Sequence, residues 1–443
     1  MFVDSKAHQD HRDIARRLDL LHFQEEAPGM VFWHPNGFVI YKALEDAVRA
    51  AQAKDRYLEV KTPQAMRRAI WERSGHWSHF GCGGMFIVSV SDGDDEGGDE
   101  GGDEGDGDAP NAARAADEVG LAAAAAVKRS AREAALKPVS CPGHVQVFGQ
   151  SAPSYRSLPM RLSELGVVHR AEASGTLHGL FRLRQFTQDD GHIFCAEEDV
   201  VGEAARFCRA AVAFYQALGF DDVQVALSTR PSQRFGDEAV WDRAEAALAL
   251  AAQGAGLRVV MQPGEGAFYG PKLEFGLRDR LGRAWQCGTI QLDFVMPERF
   301  DIHYIDAQGQ RRRPAMLHRA MCGSLERMIG ILLEHYGARL PGWLAPVQVI
   351  VAPVSQAHAA YAQRVCDEAT AAGLRARLDD RSQSLPKRAA EAREGGAPWL
   401  WVVGAREEAA AQVSVRPVGG EAVTMSLADA LGRCAQGAQR PQM

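Results

Sequence analysis

The sequence predicts an α+β fold followed by a small α/β domain. Three observations carry that expectation. Strands and helices alternate irregularly from residue 138 to 300, unlike a strict βαβ series. The stretch 272–296, "KLEFGLRDRLGRAWQCGTIQLDFVM", reads as a hairpin. Beyond 347 the pattern becomes regular, strand then helix, over about 100 residues. The expected boundaries are 1–342 and 343–443, with "LPGWLAPV" (340–347) as the linker.

Taken in order, residues 10–23 predict an amphipathic helix, with Ile14, Leu18 and Leu21 at helical spacing. "APGMVFWHPNGFVIYKALEDAVRAA" predicts two short strands around a Pro-Asn-Gly turn, then a helix that repeats Leu44, Ala47, Val48 and Ala51. "RYLEVKTP" (56–63) reads as a strand closed by Pro63. Residues 91–116 are a Gly/Asp/Glu run with the tandem "GGDEGGDE". Its charges repel and it has little to bury, so a disordered insertion is expected. A calcium loop would need fixed ligand spacing and a closing Glu, which the repeat lacks. Residues 117–136 predict a helix. In the hairpin, Leu273, Phe275 and Leu277 share one face, and Ile290, Leu292 and Phe294 oppose Gln291 and Asp293. "RPAMLHRAMCGSLERMIGILLEHYG" predicts a strand running into a helix striped with Leu325, Met328, Ile329, Leu332 and Leu333. The tail predicts strands at "VQVIVAP", "RARLDD", "WLWVVGA" and "QVSVRPV", with helices over 357–372, 386–394 and 426–435.

Composition narrows the function classes. The chain has 443 residues, 46% of them hydrophobic, and a net charge of −7. Removing the ten acids of 92–108 turns that balance to +3, so global charge decides nothing about RNA. Eight scattered cysteines with no CxxC pair point to reduced thiols in a cytoplasmic protein. The start lacks the apolar core of a signal peptide. No run of about 18 apolar residues exists, which argues against a membrane span.

The stretch "HGLFRLRQFTQDDGHIFC" (178–195) places two arginines, two carboxylates and an imidazole in an otherwise strand-like ribbon. Together with "SCPGHVQVF" (140–148), "HRAEASGTLHGLF" (169–181), "GEGAFYGPKLEF" (264–275), "WQCGTIQLDF" (285–294) and "LHRAMCGSLERMIGILLEHY" (317–336), it resembles threonyl-tRNA synthetase. "LDLLHFQEEAPGMVFWHPNG" and "WERSGHW" extend the resemblance. It implies a class II synthetase: an antiparallel sheet with flanking helices, a homodimer, and a C-terminal α/β anticodon-binding domain.

The resemblance also implies the chemistry, a threonine–tRNA ligase reaction through threonyl-adenylate. Cys141, His192 and His318 would hold one zinc ion, which no local spacing announces. Arg170 would grip the α-phosphate and the threonine carboxylate. Glu172 would hold the adenine amino group, and Arg182 and Arg327 the outer phosphate, with Phe186 and Arg327 on either face of adenine. Asp190 would pair with the substrate ammonium, and Tyr269, Gln188 and Gln291 would line the threonine pocket. Gln286 would lie near the adenylate. His76 would assist proton removal at the 2′-hydroxyl of the terminal ribose of tRNA. Magnesium would accompany ATP. A metal ligated by the substrate hydroxyl rejects valine. An apolar pocket alone separates a hydroxyl from a methyl by only about 10². Serine keeps the hydroxyl, and the family usually carries an N-terminal editing domain against it. This chain reads as a truncated form that starts at the catalytic domain.

Departures from the family pattern cluster at two places. Ala171 stands where Asn is usual, and Val139 and Ser140 where Met and Asn are usual. In the tail, Ser382, Gln383, Ser384 and Val418 replace the usual base-contacting groups, although Arg416 remains. These differences raise an alternative, a paralogue that activates threonine and passes it to a carrier protein or small acceptor. A non-catalytic regulator is the third reading, opposed by intact Arg170, Arg327 and zinc-ligand positions.

Overall fold

The structure is a computed structural model that describes residues 10–89, 133–150, 153–278 and 282–443. The acidic run at 91–116 and most of the expected helix at 117–136 lie outside the described residues. The end of that helix is a strand instead: Glu133–Leu136 pairs antiparallel with Ala65–Arg67 on one side and Ile87–Ser89 on the other. Glu, Ala and Leu favour helices locally, but two ladders of backbone bonds override that weak preference. Ala135 is also fully buried in one apolar cluster with Trp71 and Met85.

The first segment contains α1 (His11–Arg17), β1 (Leu21–His22), β2 (Phe32–Trp33), α2 (Pro35–Lys54), β3 (Leu58–Glu59), β4 (Ala65–Arg67), α3 (Arg68–Ser74), α4 (His76–Gly84) and β5 (Ile87–Ser89). Helix α1 is shorter than the sequence suggests. It ends at Arg17 because Asp19 turns the chain with φ 53° and Leu21 then pairs with Trp33. Pro35 does not make a hairpin turn; it occupies the first turn of α2, where its missing N–H costs nothing.

The second segment runs β6 (Glu133–Leu136), α5 (Cys141–Gly149), β7 (Met160–His169), β8 (Gln185–Cys195), α6 (Val200–Ala217), β9 (Val223–Ser228), α7 (Glu238–Gly254) and β10 (Val259–Gln262). It continues with β11 (Lys272–Arg278), β12 (Ala284–Asp293), α8 (Val295–Arg299), β13 (Tyr304–Ile305), β14 (Arg311–Arg312), β15 (Ala315–Ala320) and α9 (Leu325–Tyr336). The main sheet has eight strands in the order β10-β9-β11-β12-β15-β8-β7-β3. Its six central strands are antiparallel, and the edge strands β10 and β3 each pair in parallel.

One face of this sheet packs on α2, α6, α7 and α9. Ile193, Leu273, Phe275, Ile290, Leu292 and Leu317 face that core. The opposite face carries a second cluster in which Phe194 and Met316 meet Cys141, Val145 and Phe148 of α5. Alternation along each strand therefore sends neighbouring residues to different sides. On β8 the even-numbered residues Phe186, Gln188, Asp190, His192 and Phe194 fall on the α5 side.

The tail contains β16 (Val349–Pro353), α10 (Ala359–Ala371), β17 (Ala376–Leu378), α11 (Leu385–Glu394), β18 (Trp399–Val403), α12 (Ala405–Ala410), β19 (Gln412–Pro417), β20 (Val423–Ser426) and α13 (Leu427–Gly437). They form a five-stranded sheet, β17-β16-β18-β19-β20, with a separate apolar cluster on each face. Helix α12 and strand β20 escape the sequence reading because each is only one turn or four residues long. No helix among the described residues is long and apolar enough to cross a membrane.

Candidate active site and metal centre

Three strands and one helix meet over the α5 face of the main sheet. Cys141 is the first residue of α5, where Pro142 and the buried Ser140 fix the turn. His192 on β8 and His318 on β15 are opposite each other in register. The Cys141 Sγ and one nitrogen from each histidine all lie within 4.8 Å of one another, and all three residues are buried. Two nitrogens sharing a tetrahedral zinc at about 2.0–2.1 Å stand a little over 3 Å apart. His192 Nε2 and His318 Nδ1 are 3.1 Å apart.

The hydrogen-bond network fixes which lone pairs face this point. Asp293 Oδ2 accepts from His318 Nε2 at 2.9 Å, which leaves Nδ1 bare. Asp293 is itself anchored, because its Oδ1 accepts the N–H groups of Val295 and Met296. Glu164 accepts from His144 Nε2, so His144 Nδ1 accepts from His192 Nδ1 at 2.8 Å. His192 Nε2 is then bare as well. These tautomers are assigned from the network. With these tautomers two lone pairs face each other at 3.1 Å beside a thiol, a donor set of the kind zinc takes. Burial, then His144 and His318, keeps His192 neutral, as a ligand must be. Burial, then Asp190 and Asp293, raises the pKa of the Cys141 thiol and favours its protonated form.

Beneath the pocket, Glu164 also accepts from Lys137 Nζ at 2.8 Å and from Thr62. Burial alone would raise the Glu164 carboxyl, but bonds from His144, Lys137 and Thr62 outweigh it and hold it at about 2.

The residues expected at threonine lie around the Cys-His-His cluster. Asp190 Oδ2 accepts from the Ser140 backbone N–H at 3.1 Å, and its other oxygen lies 3.8 Å from His192 Nε2. The ring of Tyr269 stacks on His318 at 4.9 Å and its hydroxyl donates to Gln291. Gln188 Oε1 is buried with no partner, an acceptor waiting for a donor. His76 is buried, with Nε2 3.9 Å from Cys141 Sγ and Nδ1 2.8 Å from Ser74 Oγ. Burial, then the neighbouring His318, pushes its pKa down to about 3.

A separate cavity of about 240 Å³ is lined by Arg170, Glu172, Arg182, Phe186 and Arg327 among others. Five of the six residues expected at ATP therefore share one cavity. Arg170 lies over Phe186 at 5.1 Å and donates from Nε to Pro138 O. Arg327 stands in the first turn of α9 and sends Nε and one terminal nitrogen to Phe181 O, at 3.0 and 2.8 Å. Glu172 and Arg182 pair with each other at 2.8 Å. The sixth residue, Gln286, turns its side chain away to Glu274; only its carbonyl meets the site, accepting from Arg327 at 3.3 Å.

Asp189 belongs to the other side of β8. Its carboxylate accepts three consecutive backbone N–H groups, from Met321, Cys322 and Gly323, at 2.6–3.0 Å. It thereby fixes the turn that leads into Arg327. Sequence reasoning missed Asp189, His144, Glu164 and Asp293 as supporting residues, although the adjacent acids "QDD" and the buried-strand acid in "QLDF" were visible signals.

The family described as tRNA synthetase class II core domain (G, H, P, S and T) matches residues 125–336, and the anticodon binding domain matches 348–436. The threonine–tRNA ligase of Caulobacter sp. (strain K31) is 44% identical over 442 residues, covering 100% of this chain and 61% of the relative. That of Dichelobacter nodosus is 46% identical over 408 residues, covering 92% and 58%. The chain thus spans about 60% of the length of these relatives. Among solved structures, the RNA binding domain of threonyl-tRNA synthetase from Cryptosporidium parvum Iowa II superposes with a TM-score of 0.86 at 34% identity, covering 98% of this chain and 99% of that one. A sheet of this topology, a Cys-His-His pocket beside an arginine-lined cavity, and a matching C-terminal domain place the chain in the threonyl-tRNA synthetase family.

Proposed function

We propose that the chain activates L-threonine with ATP and transfers the threonyl group to the 3′ end of threonine tRNA. The observation that carries this reading is the shared face of β8, β12 and β15. It presents Gln188, Asp190, His192, Gln291 and His318 to one point beside the arginine-lined cavity.

In the first step a threonine carboxylate oxygen bonds to the α-phosphorus of ATP, and the bond to the bridging oxygen breaks, releasing pyrophosphate. Positioning and charge neutralisation suffice for such a step. Arg170 binds the α-phosphate and the carboxylate. Arg182 and Arg327 take the outer phosphate, for which Arg182 must leave Glu172, and Glu172 turns to the adenine amino group. Phe186 stacks on the base. Magnesium accompanies ATP as counter-ion. Cys141, His192 and His318 would hold zinc, which would supply a Lewis acid for the substrate amine and hydroxyl. Asp190 accepts from the substrate amino group, while Tyr269, Gln188 and Gln291 orient the side chain. Gln286 contributes its carbonyl by holding Arg327. In the second step His76 assists proton removal at the terminal 2′-hydroxyl of tRNA.

The functional unit in this reading is a cytoplasmic homodimer with a catalytic part over 1–342 and an anticodon-binding part over 343–443. Transfer to a carrier protein is the less favoured reading, because residues 348–436 keep the anticodon-binding match.

Threonine-dependent exchange of pyrophosphate into ATP, followed by charging of bulk tRNA, tests the proposal. Exchange and charging together are expected. Exchange without charging would favour a different acceptor, and neither would overturn the reading. His76→Ala is expected to slow transfer and spare exchange; equal loss of both would remove the role given to His76.

A further inference from the structure

Helix α1 supplies no substrate ligand, yet its first residue is fully buried. His11 sits between Glu334 of α9 and the turn at 178–181. Asp10, His11 and Glu334 bring three ligand atoms within 4.8 Å, a composition that could suit a metal. The ring has no lone pair left to give. Its Nδ1 lies 2.7 Å from Glu334 Oε1, so it carries the proton and donates. Its Nε2 accepts the backbone N–H of Leu180 at 3.0 Å. The His11 backbone N–H donates to the same Glu334 oxygen, at 3.1 Å. Arg283 pairs with the other oxygen.

The turn that meets this ring is the mount of the cavity arginines. Gly179 has φ 48°, and a Cβ there would lie 2.2 Å from His11 Nε2, so the backbone runs directly onto the imidazole. Phe181 packs its ring 4.2 Å from that of His11. The Phe181 carbonyl is the acceptor that holds two nitrogens of Arg327. The next residue is Arg182, whose side chain is half exposed and lines the cavity.

We propose that His11 is a positioning residue for nucleotide binding: accepting Leu180 N–H, it fixes the 178–181 turn that seats Arg327 on Phe181 O and aims Arg182 into the cavity. The inference rests on the reading of that cavity as the ATP site.

Two near-isosteric variants separate the ring's two jobs. His11→Gln can place an oxygen near the Nε2 position and keep the acceptor for Leu180. His11→Asn can keep a donor to Glu334 but not that acceptor. With the full chain in pyrophosphate exchange, His11→Asn and His11→Ala are expected to raise KM for ATP about tenfold, the ratio one hydrogen bond commonly governs. Threonine KM and bound zinc should stay at wild-type values, and His11→Gln should recover most of the ATP affinity. Unchanged ATP KM in His11→Asn, an equal rise in threonine KM, or a His11→Gln as impaired as His11→Asn would each overturn the proposal. Amide hydrogen exchange at 178–184 serves as the second measurement and needs no turnover. Faster exchange in His11→Asn than in His11→Gln is expected, and equal protection overturns it. A wild-type chain without exchange activity would defeat the ATP-site reading instead, leaving the amide measurement to judge the turn.

Discussion

Around Cys141 the side chains are buried and already oriented, whereas Arg182 is half exposed and paired with the less exposed Glu172. Asp293 and the Glu164–His144 pair each hold one histidine in a set tautomer. By contrast, Glu172 and Arg182 satisfy each other and must separate before either meets a nucleotide. In the proposed reading, the difference teaches that the amino-acid side is pre-organised and the nucleotide side has to reorganise on binding. Selectivity between threonine and valine needs fixed ligands, since a wrong substrate then leaves polar groups unpaired. Phosphate capture needs charge and reach, which flexible arginines supply.

The largest effect should come from the fixed side. Cys141→Ser or His318→Ala is expected to abolish zinc binding and to lower threonine-dependent exchange by about 10³ or more, a loss typical of a main electrostatic element. Elemental analysis and exchange on the same preparation check it. Full activity in zinc-free protein would remove the metal from the reading.

Next, Arg327→Ala should lower exchange by about 10² with little change in threonine KM, because Arg327 lines the cavity proposed for the nucleotide. Steady-state kinetics with each substrate varied in turn would show whether the two halves are separable.

Stability distinguishes the halves too. Glu164 has a folded pKa of about 2, below its usual 4.5, so its contribution is complete above about pH 4.5 and fades as pH falls toward 2. That shift corresponds to about 3 kcal/mol. Glu164→Gln removes this pH dependence and leaves Lys137 buried without its carboxylate, at a cost of about 3–5 kcal/mol. Denaturant titrations at pH 7 and pH 4 measure both effects. A variant as stable as wild type would mean the buried pair does not support the pocket.

The smallest effect should be Arg182→Ala on stability. Its ion pair with Glu172 is half exposed, so removal should cost under about 1 kcal/mol. ATP KM should nevertheless rise about tenfold, as for one lost charge-assisted contact. A large drop in melting temperature would show that the exposed pair is structural after all.

Strand content and the small tail domain were legible because their periodicities are long. The hairpin at 272–296 and the stripe of α9 appear as read, with Leu273, Phe275, Leu277, Leu325, Met328 and Ile329 buried. Residues 133–136 were not legible, since a short run of Glu, Ala and Leu carries helix preference and only its two neighbours make it a strand. Pro35 misled because a Pro-Asn-Gly sequence suits both a turn and a helix start. In the site, family resemblance located the groups expected to touch substrate. It could not reveal Glu164, His144 or Asp293, whose roles depend on contacts 20–48 residues apart in sequence or more. Residues 117–132 of the expected helix and the acidic run at 91–116 lie outside the described residues.

The odd–even division of β8 has a consequence for how this chain can change. Single substitutions at Gln188 or Asp190 alter one contact each. Deleting or adding one residue between Phe186 and His192 would exchange every side chain of that segment with its neighbour across the sheet. Asp189 would face Cys141 and His318, and His192 the helices. Variation in this ribbon is therefore confined to replacement, and its length is held constant by geometry.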